Sequence, residues 1–255
     1  MKLDEFRNRK GKEKIIMLTA YDYQVARILD EEQIDIILVG DSLGMVVQGY
    51  TDTKSVTMED MLYHTRAVAR AAKKTPIIGD MPLNSDNTVE DALRNAEGFL
   101  DAGAHGVKIE GNKTDVIKAL ISNEIPVMGH IGLLPQTAPV YRVRGKVPEE
   151  AQRIHQDAVA LDKLGVFTMV LESIPESLAK RITAAVGAPT IGIGAGKYCD
   201  GQVLVINDML GFDPSFKPKY LKRYADVNLI IKQAVENFKQ EVKNGRYPDA
   251  EHTYH

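Results

Sequence analysis

Short apolar segments alternate with longer amphipathic segments along most of this 255-residue chain. The apolar segments have the composition of strands that are buried on both faces of a parallel sheet. Eight of them are predicted as strands, at residues 13–18, 35–39, 76–79, 105–109, 126–130, 166–171, 190–193 and 203–206. Apolar residues between them recur at helical spacing, and Asp22 and Thr57 are placed to cap helices. The predicted helices lie at residues 22–32, 57–74, 88–102, 114–122, 148–164 and 175–186.

This alternation predicts an α/β fold built from parallel βαβ units. Eight such units in about 250 residues have the size of a closed (β/α)₈ barrel of the TIM type. A doubly wound open sheet is the alternative. The barrel is favoured by four acids that follow predicted strands, namely Asp41, Asp80, Glu110 and Glu172. A barrel gathers all strand ends around one mouth, whereas an open sheet has one crevice at its switch point.

The pattern changes after the eighth strand. A loop with Pro, Lys and Phe at residues 211–219 precedes a long helix, which is predicted from about Tyr220 to Lys243. Its apolar positions keep helical spacing and are Tyr224, Val227, Ile231, Val235, Phe238 and Val242. Because no linker or low-complexity tract divides the chain, we predict a single barrel domain over residues 1–255. The helical extension covers about residues 218–244.

Composition limits the classes of partner. A net charge of −3 from 32 basic and 35 acidic residues provides no basic face for nucleic acid and no polybasic patch for a membrane. The N-terminus lacks the apolar core of a signal peptide, and no apolar run approaches the roughly 18 residues of a membrane helix. Cys199 is the only cysteine, which suits a reducing compartment and indicates the cytoplasm. We therefore expect a small-molecule substrate.

The four acids indicate a metal site. Converging carboxylates with few histidines and no cysteine pair suit Mg²⁺ and fit Zn²⁺ poorly. Magnesium keeps open positions for substrate oxygens, and a 2-oxo acid offers a carboxylate and a ketone as a chelate. A metal on that ketone would acidify the neighbouring C–H bond.

The sequence neighbours of the acids suggest different roles for Glu110 and Glu172. Lys108 and Glu110 face the same way on one strand, so we expect the cation to keep Glu110 ionised as a metal ligand. Glu172 has apolar neighbours, which would raise its pKa toward that of a general base. Simpler explanations stay open: a strand-end acid often caps the next helix, and Lys108 is equally suited to an ion pair with Glu110 alone.

Three other polar residues keep two interpretations each. His130, at the end of the fifth strand, is either a satisfied core histidine or part of the site. Arg142 and Arg144 are either solvated loop charges or part of a lid over an anionic substrate.

Six stretches of the sequence carry a more specific pattern, and they are residues 19–23 (TAYDY), 39–47 (VGDSLGMVV), 63–68 (YHTRAV), 126–133 (PVMGHIGL), 189–196 (PTIGIGAG) and 199–205 (CDGQVLV). In these motifs, and in their order from residue 13 to about 225, the chain resembles the ketopantoate hydroxymethyltransferase family.

The resemblance implies a (β/α)₈ barrel and a set of site residues. By position in the motifs, Asp41, Asp80 and Glu110 match the Mg²⁺ ligands. The substrate 3-methyl-2-oxobutanoate is held by the metal and by residues that match Asp41, Ser42, Asp80 and Lys108. Glu172 matches the base.

The resemblance also implies the reaction. Glu172 removes the C3 proton, and the Mg²⁺-bound enolate attacks the methylene carbon of the co-substrate 5,10-methylenetetrahydrofolate. Water completes hydroxymethyl transfer to give 2-dehydropantoate for pantothenate and coenzyme A biosynthesis. Lys108 pairs with the developing charge. Members of the family form homodecamers.

Two departures from the family pattern concern the substrate side of the site. The loop between Leu134 and Arg142 is shorter than in the family pattern, and Asn207 stands where a histidine often follows the QVLV run. We expect neither to touch the metal or base positions, although the loop change would affect the folate pocket or a lid.

Two other functions compete with the transferase. The first is a Mg²⁺-dependent 2-oxo acid lyase or mutase of the phosphoenolpyruvate mutase/isocitrate lyase type. Its reactive cysteine loop has no counterpart, since Cys199 lies in the different context KYCDG. The second is a non-catalytic scaffold, which has no reason to place four acids on one rim.

Overall fold

Residues 3–255 are described by the structure, a computed structural model, and they contain a closed barrel of eight parallel strands. The strands are β1 (Ile15–Thr19), β2 (Ile36–Val39), β3 (Ile77–Asp80), β4 (Gly106–Glu110), β5 (Val127–Gly132), β6 (Thr168–Glu172), β7 (Thr190–Ile193) and β8 (Gly201–Leu204). Each strand pairs with the next, and β1 pairs with β8. The predicted (β/α)₈ barrel is confirmed, and the open sheet is excluded.

Nine α-helices occur within residues 3–255. They are α1 (Tyr23–Glu31), α2 (Leu43–Val46), α3 (Met58–Ala71), α4 (Val89–Asp101), α5 (Thr114–Ser122), α6 (Pro148–Leu164), α7 (Glu176–Ala185), α8 (Ile206–Met209) and α9 (Val227–Lys243). Asp22 caps α1 by accepting from the Val25 amide, and Thr57 forms a reciprocal capping box with Asp60 in α3. Both predicted caps are confirmed.

Apolar side chains fill the barrel below its carboxyl-terminal mouth. The buried cluster consists of Leu3, Phe6, Ile15, Met17, Ile36, Leu38, Ile78, Met128, Phe167, Val170, Ile191 and Val203. Phe6 belongs to an unpredicted 3₁₀ helix, Leu3–Arg9, and its ring centroid lies 6.4 Å from that of Phe167. Because this apolar core fills the barrel, polar side chains collect at the carboxyl ends of the strands.

Two compact units make up the chain, with the boundary between Val205 and Ile206. In the second unit, α9 starts at Val227, later than the predicted Tyr220, because Asp226 caps the helix there and accepts from the Leu229 amide. None of the residues of α9 is buried, and its apolar side chains, such as Phe238, are about half exposed. The single domain over residues 1–255 remains a prediction.

None of the helices in residues 3–255 combines the length and the apolar content that a membrane span requires.

Gly79 shows how helix packing fixes the residue before a predicted site acid. An added Cβ at Gly79 would lie 2.2 Å from Cδ1 of Phe99, a fully buried residue of α4. Only glycine lets α4 approach β3 this closely, and Asp80 follows directly on the strand.

Substitution of Gly79 by alanine should lower the free energy of unfolding by about 1–3 kcal/mol, because the new methyl group overlaps the Phe99 ring. Gly98→Ala is the matched control: its Cβ would meet Leu62 at an ordinary 3.6 Å, and alanine favours the helix by up to about 1 kcal/mol. Urea unfolding followed by circular dichroism measures both. Equal stabilities of the two variants would contradict this packing argument.

Candidate active site

The barrel places all four predicted acids at its carboxyl-terminal mouth. Asp80, Glu110 and Glu172 are the last residues of β3, β4 and β6, and Asp41 follows β2. Adjacent strands align Asp80 with Lys108, Glu110 with His130, and Gly132 with Glu172. Asp41, Asp80 and Glu110 are at most 5% exposed, whereas the Glu172 side chain is 19% exposed. None of the four is a helix N-cap, so they are available for chemistry.

Lys108 is the cation of this cluster. Its Nζ lies 2.6 Å from Oδ1 of Asp80, so the ion pair is with Asp80 and not with Glu110 alone. Burial alone would lower the pKa of Lys108, but the carboxylates of Asp80, Glu110 and Asp41 together raise it above its ordinary value. Lys108 is therefore charged.

One ammonium group does not balance three buried carboxyl groups. Burial raises the pKa of Asp80 to about 8, although the charge of Lys108 opposes this change. Burial likewise raises the pKa of Glu110 well above its ordinary value. Without a metal ion, desolvation outweighs the attraction of Lys108 and opposes ionisation of Glu110, and the expectation that Glu110 is ionised as a metal ligand stays a prediction.

His130 joins Lys108 to Glu172. Its Nδ1 lies 3.3 Å from Nζ of Lys108 and 3.5 Å from Oε1 of Glu110, and its Nε2 lies 3.2 Å from Oε2 of Glu172. Burial and the charge of Lys108 lower the pKa of His130, so the ring is neutral. Because an ammonium group only donates, Nδ1 accepts from Lys108 and the ring proton is on Nε2, toward Glu172. His130 is thus part of the site.

Gln136 is a site residue that sequence reasoning missed. It lies in the β5–α6 segment (residues 133–147) and is 3% exposed. Its backbone amide donates to Oε2 of Glu110 (3.2 Å), and its Nε2 donates to Oδ2 of Asp41 (2.9 Å) and to the Met81 carbonyl (2.8 Å). The expectation that the 134–142 loop touches no metal position is wrong for this residue. The two acids that it contacts, Glu110 and Asp41, lie 26 and 95 positions away in the sequence, so no local sequence signal identifies it.

The remaining predicted residues are Ser42, Arg142 and Arg144. The Ser42 hydroxyl shares a 2.8 Å hydrogen bond with the Tyr21 hydroxyl at the start of α2. Arg142 and Arg144 each have a guanidinium nitrogen 3.5 Å from Oε1 of Glu150. The two arginines are thus held by a carboxylate outside the acid cluster.

The donor set fits a hard divalent cation. Oε1 of Glu110 is buried and has no hydrogen-bond partner among the residues that the structure describes. Within residues 3–255, no three His, Cys, Asp or Glu side chains are grouped as a metal site. Instead, Lys108 contacts Asp80 and Gln136 contacts Asp41. The ligand set Asp41, Asp80 and Glu110 stays a prediction.

Comparison with known proteins identifies the family. A family model described as ketopantoate hydroxymethyltransferase matches residues 1–250. The chain belongs to the ketopantoate hydroxymethyltransferase family. A relative from Caldicellulosiruptor saccharolyticus, named 3-methyl-2-oxobutanoate hydroxymethyltransferase, is 51% identical over 255 residues, which cover 98% of this chain and 97% of the relative.

Solved structures show how widely this barrel occurs. A 2,3-dimethylmalate lyase, described as a member of the PEP mutase/isocitrate lyase superfamily, is similar with a TM-score of 0.63 and 16% identity, covering 99% of this chain and 92% of the lyase. A phosphonopyruvate hydrolase in complex with oxalate and Mg²⁺ has a TM-score of 0.64 and 12% identity. The match covers 99% of this chain and 93% of the hydrolase. At these identities the likeness shows the fold alone.

The raised pKa of Glu110 predicts how pH affects this ketopantoate hydroxymethyltransferase family member without metal. The folded state holds the Glu110 proton to higher pH than the unfolded state, so this stabilisation is present at low pH and is lost as pH rises above about 4.5. Glu110→Gln cannot lose a proton, so it should gain stability relative to the wild type as pH increases. Urea unfolding in chelator from pH 5 to 8 measures the difference.

Glu97→Gln, at an exposed position of α4, is the matched control and should show no such trend. A stability difference between Glu110→Gln and the wild type that does not change with pH would contradict the burial argument.

Proposed function

We propose that this chain is a 3-methyl-2-oxobutanoate hydroxymethyltransferase that uses 5,10-methylenetetrahydrofolate and gives 2-dehydropantoate. Relatives with this activity in their names are about half identical over nearly the full chain. The observation that carries the proposal is the buried ion pair of Asp80 and Lys108 with Asp41 and Glu110, at the same mouth as Glu172. This arrangement suits proton removal next to a carbonyl group whose oxygen gains charge.

Asp41, Asp80 and Glu110 are the proposed Mg²⁺ ligands. Their oxygens are donors that Mg²⁺ prefers, and Oε1 of Glu110 has no other hydrogen-bond partner among the described residues. Burial raises the pKa values of Asp80 and Glu110, and more positive charge than that of Lys108 is needed to offset this effect. Bound Mg²⁺ would supply that charge and would polarise the ketone of the 2-oxo acid, which makes its C3 proton more acidic.

The chain's own residues have distinct proposed roles. Asp41, Ser42, Asp80 and Lys108 hold the 2-oxo acid, and the Lys108 ammonium stabilises negative charge on its oxygens. Oε2 of Glu172 accepts the C3 proton. Nε2 of His130 lies 3.2 Å from that oxygen. The low exposure of the other acids keeps water from the chelating end of the substrate.

Methylenetetrahydrofolate is proposed to approach along the β5–α6 segment. A cavity of about 280 Å³ lies there, lined by residues that include Gly132, Leu134, Arg144 and Arg153. The segment that lines it runs beside the end of β6, because the Leu133 amide donates to the Glu172 carbonyl (2.9 Å) and the Arg144 amide donates to the Ser173 carbonyl (2.8 Å). The homodecamer and the cytoplasmic location stay predictions.

The lyase or mutase alternative has no support from the cysteine. Cys199 is fully buried, and burial raises the pKa of its thiol. A reactive cysteine needs an accessible thiolate, so Cys199 does not serve as one.

Glu172→Gln should slow the exchange of the C3 proton of 3-methyl-2-oxobutanoate roughly 10²–10⁴-fold in D₂O with Mg²⁺. Proton NMR of the substrate measures the exchange rate. Glu176→Gln, at an exposed carboxylate four residues further on, is the control and should exchange like the wild type. A near-normal exchange rate in Glu172→Gln would refute the assignment of Glu172 as the base.

Adding methylenetetrahydrofolate to the wild type in the same tube should yield 2-dehydropantoate. Proton exchange without this product would support the proposed removal of the C3 proton and refute the proposed transfer of the one-carbon unit.

Asp80→Asn should weaken binding of 3-methyl-2-oxobutanoate when Mg²⁺ is present and change it little in chelator, because the substrate binds through the metal. Isothermal titration calorimetry under both conditions tests this. Asp115→Asn, at an exposed position of α5, is the control. A loss of equal size in chelator would remove Asp80 from the metal site.

A further inference from the structure

Gln136 makes an unusual set of contacts for a loop residue. Its backbone and side-chain amides donate to carboxyl groups that follow two different strands, Glu110 after β4 and Asp41 after β2. A third bond, from its side chain to the Met81 carbonyl, fixes the amide beside β3. One buried residue thus connects the β5–α6 segment to three strand ends of the site.

The bonds select particular carboxylate oxygens. Gln136 occupies Oε2 of Glu110, while Oε1 of the same group is left without a hydrogen-bond partner among residues 3–255. At Asp41 it occupies Oδ2. A neutral amide satisfies these oxygens without adding charge, so each carboxyl group is held in one orientation and remains available to a cation.

The contact also fixes the β5–α6 segment over the mouth. Tyr141 of this segment donates from its hydroxyl to the carbonyl of Pro135, the residue before Gln136 (3.4 Å). Burial raises the pKa of Tyr141 to about 12, with further contributions from Asp52, Asp41, Glu110 and Glu172.

We propose that Gln136 is a positioning residue, which holds Asp41 and Glu110 in the orientation that binds a divalent cation and fastens the β5–α6 segment over the mouth. This inference rests on the proposed metal site. Carboxylate ligands are generally oriented by hydrogen bonds, and loss of such a partner typically weakens metal affinity 10–100-fold.

The test is titration calorimetry with Mg²⁺ alone, without substrate, on the wild type and on Gln136→Met. Methionine keeps the volume of glutamine but cannot donate to Asp41. We expect Mg²⁺ affinity to fall 10–100-fold. We also expect kcat to recover at saturating Mg²⁺, because the defect lies in metal affinity. Loss of a residue that only anchored the loop would leave Mg²⁺ affinity unchanged, so an unchanged Mg²⁺ affinity would overturn the proposal.

Gln202→Met is the matched control. The Gln202 amide also bonds a backbone carbonyl, that of Gly196 (2.9 Å), but it contacts none of the acids, and its loss should leave Mg²⁺ affinity unchanged. Gln136→Ala is a second variant in case methionine does not fit, and it should shift the affinity in the same direction. Trypsin cleavage after Arg142 or Lys146 should be faster in both Gln136 variants.

Asp80→Asn separates the two proposals. If the wild type and Asp80→Asn bind Mg²⁺ equally, the metal site itself is wrong and the role of Gln136 falls with it. If Asp80→Asn loses binding while Gln136→Met retains it, only the role of Gln136 is refuted.

Discussion

Three carboxyl groups and one ammonium group share the buried mouth of this barrel, and this imbalance of charge governs the rest of the site. Burial disfavours the charged form of a carboxyl group, so it raises the pKa values of Asp80 and Glu110 even though the charge of Lys108 opposes this change. The other buried polar partners, His130 and Gln136, are neutral. Gln136 satisfies carboxylate oxygens without neutralising the cluster, which leaves it suited to a divalent cation.

The closed barrel is what brings these groups together. Parallel strands align Asp80 with Lys108 and Glu110 with His130, and all of them project at the same end. The apolar core beneath is independent of that chemistry, since its side chains come mainly from other positions on the strands and from the 3₁₀ helix Leu3–Arg9. A stable core of this kind can hold an electrostatically unfavourable cluster at one end.

The sequence predicted what is local. Unbroken apolar runs indicated the strands, and the acids that follow them marked the mouth. β8 begins at Gly201, two residues before the predicted start, because pairing of Gly201 with Ile15 of β1 sets its position, and the apolar run alone gives no sign of that. The contacts of Gln136, the His130 link to Glu172 and the raised pKa of Glu110 depend on burial and on distant partners. No spacing rule along the chain contains that information.

Burial also differs across the site, and this difference orients the substrate under the proposed function. Asp41, Asp80 and Glu110 are nearly inaccessible, whereas the Glu172 side chain is 19% exposed. A 2-oxo acid whose two oxygens face the buried acids has its C3 atom toward Glu172 and the more open side. The β5–α6 segment runs beside Glu172, because the Leu133 amide bonds the Glu172 carbonyl and the Arg144 amide bonds the Ser173 carbonyl. Under the proposed function, the same geometry shields the charged end of the substrate from water and leaves its reacting carbon on the more open side of the site.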